Sequence, residues 1–185
     1  MDITLIEKID ETRILPLSKW HFFLHYFVAF IPLILALMNT YWLVERWSTE
    51  NYVGTRTEED IISSILVWFS IAILAFIVKR RRLNFKRIDI SLNGKEFKER
   101  MSEIAELENW RLTNQNTKSS VFYNNNSGWN WGLKMTVLRF KNYLLVNSVC
   151  DYEYKPSIAL FGNERNINRL KKNLKKPVAN NVYDS

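Results

Sequence analysis

Eighteen consecutive residues from Ile61 to Val78 carry no charge, and Lys79, Arg80, Arg81 and Arg82 follow them without a break. A helix rising about 1.5 Å per residue covers about 27 Å over such a run, close to the hydrocarbon thickness of a bilayer. The pattern reads as a membrane helix with a cationic stop. Four cations in succession also orient it, because basic flanks stay on the cytoplasmic side.

A second apolar stretch precedes it. From His21 to Val44 no residue is charged, and Trp20, Tyr26, Tyr41, Trp42 and Trp47 sit where aromatic belts would meet two membrane interfaces. Pro32 removes a backbone donor near the middle and predicts a kink. Residues 45–60 join the two spans and hold five acids against two bases, whereas three cations precede the first span and six lie in 79–87. That asymmetry predicts a hairpin, residues 21–78 with helices 21–44 and 61–78, whose loop is external and whose two termini are cytoplasmic. Thr57 and the acids Glu58, Glu59 and Asp60 suit the first turn of the second helix. Residues 1–20 alternate apolar and charged positions without a cleavage site, so they read as a retained amphipathic lead-in that favours an interfacial helix. The mean hydropathy of −0.20 averages these segments with a polar remainder.

After the basic juxtamembrane segment 79–87 the periodicity is that of a water-soluble domain, residues 88–176. Ile88, Ile90 and Leu92 alternate with polar residues and predict a strand over 86–92. Asn93 with Glu96 forms a capping-box pair, and Phe97, Met101, Ile104, Ala105 and Leu107 supply the buried stripe of a helix ending near Asn109. Strands follow over 110–116, 119–123, 133–140 and 143–149, the last two joined by Lys141 and Asn142 as a two-residue turn. Asn163 opens a final helix with Ile167, Leu170 and Leu174 on one side, cations toward its end and Pro177 after it. Residues 177–185 read as a tail. The fold class is α+β: a two-helix transmembrane hairpin, then a small cytoplasmic domain with a mostly antiparallel sheet packed on one face against two helices.

Few residues point to chemistry. The two histidines, His21 and His25, are four apart on one helix face, a spacing that suits interfacial anchoring better than a two-ligand metal site. Cys150 beside Asp151 lacks a histidine base in the soluble domain, and one cysteine permits neither an intrachain disulfide nor a thiolate cluster. Glu103, Glu106 and Glu108 read as a solvated helix face rather than an acid/base pair. No P-loop, dinucleotide glycine pattern or metalloprotease helix is present, so no catalytic residue, cofactor or metal is expected. Trp129, Asn130 and Trp131 form the most unusual local sequence: two indoles around an amide could stack on a flat ligand or cover the open end of the core. The net charge of +7 is concentrated, with Lys79, Arg80, Arg81, Arg82, Lys86 and Arg87 in nine residues. Such a cluster attracts anionic lipid headgroups and comes without a nucleic-acid recognition motif, so lipid is the expected partner and nucleic acid is not.

The run WNWGLKMTVLRF, then LLVNSVCD, KPSIALFG and the closing helix rich in asparagine and lysine resembles a domain of small, uncharacterised bacterial membrane proteins with two N-terminal spans, over residues 85–176. The resemblance implies an inner-membrane protein and assigns no catalytic residue. The overall plan is also similar to membrane effectors of bacterial anti-phage signalling, which bind a cyclic nucleotide and oligomerise. Two expectations follow. The first is a non-enzymatic inner-membrane protein whose cytoplasmic domain binds a partner protein or small ligand. The second is a defence or toxin-like effector in which ligand binding drives membrane disruption, with Ser63, Ser64, Ser70, Ala72 and Ala75 serving homo-oligomer packing.

Overall fold

In chain order the computed structural model contains α1 (Ile3–Thr12), α2 (Lys19–Ser48), α3 (Glu58–Arg82), β1 (Lys86–Ile88), α4 (Gly94–Leu107), β2 (Arg111–Gln115), β3 (Ser119–Asn124), β4 (Leu133–Arg139), β5 (Leu144–Cys150) and α5 (Gly162–Leu174). It describes residues 3–48, 55–124, 133–150 and 162–176. The chain divides into two compact units, residues 17–81 and residues 1–16 with 82–185.

The first unit is an antiparallel helical pair. On α2 the buried positions His25, Ala29, Pro32, Ala36, Asn39 and Leu43 recur at steps of three and four. On α3 the buried Ile61, Ala72 and Lys79 are joined by half-buried Ile65, Trp68 and Ala75, again at alternating steps of four and three. A repeat of 3.5 keeps one seam facing its partner along both helices, and alanine at several seam positions lets the backbones approach. Tyr26 stacks on Phe76 with ring centroids 4.7 Å apart, so it belongs to this seam rather than to an interfacial belt. Pro32 also lies on the seam, inside a helix that runs unbroken past it.

Both helices are longer than their uncharged runs. Thr57 caps α3: its Oγ1 and N–H donate to Asp60 Oδ2 at 2.7 and 3.2 Å, and Asp60 N–H donates back to Thr57 Oγ1 at 3.2 Å. At the other end, Lys79 to Arg82 form the last turn of α3 rather than a separate segment. Lysine and arginine are strong helix formers, and the helix dipole favours cations at a C-terminus.

The second unit is built on a five-stranded, wholly antiparallel sheet in the order β1-β5-β4-β3-β2. One face carries the larger core. Phe122, Met135, Val137, Leu144 and Val146 meet Phe97, Met101, Ile104 and Ala105 of α4 and Ile167, Leu170 and Leu174 of α5. α4 begins with a complete capping box, the Asn93 side chain accepting from the N–H groups of Lys95 and Glu96 while Glu96 Oε2 accepts from Asn93 N–H. Its last residue, Leu107, expected on the buried stripe, is 61% exposed. Just beyond the helix Asn109 takes a left-handed φ of 53° while Trp110 N–H reaches back to Ala105 O at 2.8 Å. Asparagine tolerates that conformation better than most residues, which suits it to the position after a helix.

Two further features depart from the sequence reading. The strand expected over 86–92 stops at Ile88, because its partner β5 begins at Leu144, opposite Ile88, leaving 89–92 no strand to pair with. Ile90 and Leu92 still pack on the core. The second departure concerns residues 1–20. They are not an interfacial lead-in; α1 covers the other face of the sheet, burying Ile6 and Ile9 against Phe85, Leu138 and Leu145. Helices therefore flank both faces. Arg13, at φ 57°, turns the chain out of α1, and residues 13–15 pair with 83–85 through Phe85 N–H to Arg13 O at 2.8 Å and Leu15 N–H to Leu83 O at 2.9 Å.

Candidate functional site

The outer faces of α2 and α3 are apolar and uncovered. Phe23, Phe27, Leu37, Leu66, Val67 and Leu74 are all exposed. Trp20 and Tyr41, each 65% exposed, stand 21 residues apart, about 32 Å along a helix. Both helices are long and apolar enough to cross a membrane, by length and composition. Asn39 and Thr40 are satisfied within this unit. Asn39 donates to Leu35 O at 2.7 Å and accepts from Arg56 Nη1 at 3.3 Å, and Thr40 donates to Ala36 O at 2.9 Å.

The histidines take separate partners. His25, 1% exposed, lies with Nε2 2.8 Å from Lys79 O. A carbonyl only accepts, so Nε2 carries the proton and His25 supplies an interhelical donor to a carbonyl in the last turn of α3. His21 Nδ1 lies 3.0 Å from Ser18 Oγ. Among the described residues no group of three or more metal-ligating side chains gathers.

The six cations expected at lipid headgroups are not equivalent. Arg80 and Arg81 are exposed, Arg82 is half-buried and Lys79 is buried. Lys86 pairs with Glu164 at 2.9 Å, tying β1 to α5, and its donation to the carboxylate holds the Glu164 pKa below its ordinary value. Arg87 pairs with Asp89 at 2.6 Å and lies over the Tyr143 ring, 4.2 Å from its centroid.

The glutamates of α4 also differ from a plain solvated face. Glu103 pairs with buried Arg100 at 2.6 Å, and Glu108 accepts from Asn173 Nδ2 at 2.7 Å and pairs with Arg169 at 3.4 Å. Both tie α4 to the end of α5, since Arg100 Nη2 donates to Asn173 O at 3.0 Å and to Lys176 O. Glu106 is exposed. Trp129, Asn130 and Trp131 lie outside the described residues. Cys150 is the last residue of β5, opposite Leu133.

The sequence reading passed over one concavity. Three connections meet in the second unit: the segment from β1 to α4 (Ser91, Leu92, Asn93), the β2–β3 turn (Lys118) and the β4–β5 turn (Phe140, Lys141). With Arg139 at the end of β4 they line an open cleft of about 440 Å³. Arg139 is positioned by backbone carbonyls, with Nε donating to Thr117 O at 2.6 Å and Nη1 to Leu92 O at 3.1 Å. Gly94 allows this closeness, as a Cβ there would sit 3.2 Å from Thr117 Cβ and 3.9 Å from Arg139 Nη2. Among the described residues no carboxylate pairs with Lys118, Arg139 or Lys141. The sequence signal was weak, since the three cations are spread over twenty-four residues and meet only because successive turns share one end of the sheet.

Comparison with protein-family models, with curated proteins and with solved structures finds no match.

Proposed function

We propose that this chain is a non-enzymatic integral membrane protein in which the α2–α3 hairpin spans the bilayer and anchors an α+β unit that binds a small ligand or a partner protein. The observation that supports anchoring is the uncovered apolar surface. Only 28% of the apolar stretch of α2 and 11% of that of α3 is buried. Large exposed apolar surface is costly in water and is satisfied by lipid. Backbone polar groups within helices are already paired, as a hydrocarbon environment requires.

Charge gives the orientation. α3 begins with Glu58, Glu59 and Asp60 after Arg56 of the connection, and it ends in four cations. On the positive-inside rule the α+β unit and both termini are cytoplasmic, at a bacterial inner membrane. Arg80 and Arg81, exposed beside the span, meet anionic headgroups.

Alkaline carbonate extraction of membranes from expressing cells, combined with cysteine labelling, tests this reading. In a Cys150→Ser background, Thr55→Cys is expected to react with an impermeant maleimide in intact cells and Asn142→Cys only after lysis. Release of the chain by carbonate, or labelling of Asn142→Cys from outside, overturns it.

A further inference from the structure

We propose that the cleft lined by Ser91, Leu92, Asn93, Lys118, Arg139, Phe140 and Lys141 binds a phosphate-bearing ligand. The proposal rests on the ligand-binding role assigned above to the α+β unit and gives that role a place and a chemistry.

Three cations surround the cleft and no acid lines it. The acids nearest in sequence are engaged elsewhere: Asp89 pairs with Arg87, and Glu96 accepts from the Asn93 N–H. A half-buried guanidinium without a counter-ion is unusual, because a charge removed from water is ordinarily compensated by an opposite one. Here two carbonyls from separate connections hold Arg139 by Nε and Nη1 without neutralising it. The charge is thus fixed in direction before any ligand arrives, and the cost of ordering a long side chain is already met by the fold.

The other donors suit an oxyanion. Asn93 uses its side-chain oxygen to accept from Lys95 and Glu96 N–H groups, which leaves its amide nitrogen as a donor. Lys118 and Lys141 are exposed at the ends of two turns, free to close on a charged group. Leu92 and Phe140 give the cleft an apolar part, and Phe140 is held in place by stacking on Tyr143 with centroids 4.9 Å apart. Three cations converging on so small a volume match a group of two or more negative charges better than a single carboxylate, and an arginine fork suits tetrahedral phosphate oxygens.

A phosphate of this kind belongs either to a soluble metabolite or to a lipid headgroup, and two lipid compositions separate the sources. The full-length chain in phosphatidylcholine nanodiscs is titrated with inorganic pyrophosphate by calorimetry, and the titration is repeated in discs containing phosphatidylglycerol. Saturable binding is expected in phosphatidylcholine discs. It should weaken by about tenfold or more in Lys118→Glu/Lys141→Glu, whose residues are exposed and make no ion pair among the described residues, and in Arg139→Gln. Unchanged binding in phosphatidylglycerol discs identifies a soluble ligand; binding abolished there identifies a headgroup. Absence of binding in phosphatidylcholine discs, or binding that Lys118→Glu/Lys141→Glu leaves intact, overturns the proposal. In either of those cases a chain that still resists carbonate extraction keeps its anchoring role, so the two failures are distinguishable.

Discussion

The side-chain amide of Asn147 donates to the backbone oxygen of Asn84 at 3.0 Å, and also to that of Arg82 at 3.0 Å. Asn147 is 1% exposed in the middle of β5, so an amide stands where a core strand would ordinarily carry an aliphatic side chain. Its position explains the exception. Arg82 ends α3 and Asn84 precedes β1, and the Asn147 side chain gives both carbonyls a donor at this junction between helix and strand. Asn147 supplies both bonds, while residues 13–15 pair with 83–85 along the same stretch.

Replacing Asn147 by leucine keeps the volume but removes a donor from two part-buried carbonyls. The expected loss of stability is about 0.5–1.5 kcal/mol, the net worth of a typical hydrogen bond, since water reaches part of this junction. Thermal or denaturant unfolding of the full chain in detergent measures it. A midpoint unchanged from that of the parent chain would show that water replaces the Asn147 donor at both carbonyls.

A comparable tie closes the other sheet face. Arg100 reaches from α4 to the carbonyls at the end of α5 and, through Glu103, stays charge-balanced. Arg100→Met removes the side-chain donor from those carbonyls and from Glu103, and a loss of about 1–3 kcal/mol is expected, because Arg100 is buried while Glu103 is half exposed and stays solvated. Arg100→Lys should not restore it, because one ammonium cannot reproduce a planar fork that serves a carboxylate and two carbonyls together. Unfolding midpoints of the two variants, compared side by side, decide the matter; full rescue by lysine would mean that charge alone suffices.

The elements of the α+β unit were readable because each carries its own local signal. Asn93 with Glu96 marked the start of α4, Lys141 and Asn142 marked the turn between β4 and β5, and alternation marked β4 itself. What escaped the sequence depended on distant partners. Ile6 and Ile9 look the same whether they face lipid or the Leu138 and Leu145 side of a sheet, and the choice lies in residues more than a hundred positions away. The extent of β1 was likewise set by where β5 begins. Lys118, Arg139 and Lys141 read as scattered surface charges until the meander of β2 to β5 brings their turns together. In the hairpin the uncharged runs were plain, yet the seam positions were hidden, since an apolar helix in lipid shows little contrast between its faces.

The Lys86–Glu164 pair makes a pH prediction with a definite sign. Donation from Lys86 lowers the Glu164 pKa in the folded state. A lowered folded-state pKa contributes stability above the unfolded value, about 4.3 for glutamate, and that contribution is lost as pH falls through the folded value. Melting temperatures measured from pH 6 downward should therefore decline less steeply in Glu164→Gln than in the parent chain. Both side chains are exposed, so the difference is small and should shrink further in high salt. An identical pH slope in the two proteins at low salt would show that the pair contributes nothing to folding.

His25 provides the corresponding test of the hairpin. Its ring is enclosed between α2 and the last turn of α3, donating to the Lys79 carbonyl and meeting Tyr26 edge-on with centroids 5.0 Å apart. Leucine at this position would keep the seam apolar but remove the interhelical donor to the Lys79 carbonyl. Interhelical hydrogen bonds in membranes are worth about 0.6–1.7 kcal/mol, so His25→Leu should unfold at measurably lower denaturant in detergent micelles. Asn39→Leu, at the opposite end of the same seam, removes the acceptor that Arg56 uses and should lower stability by a similar amount. The two residues are fourteen positions apart and share no partner, so the double variant is expected to lose the sum of the single effects. Losses that fall well short of additivity would mean that the pair separates at one end before the other, rather than opening as a single seam.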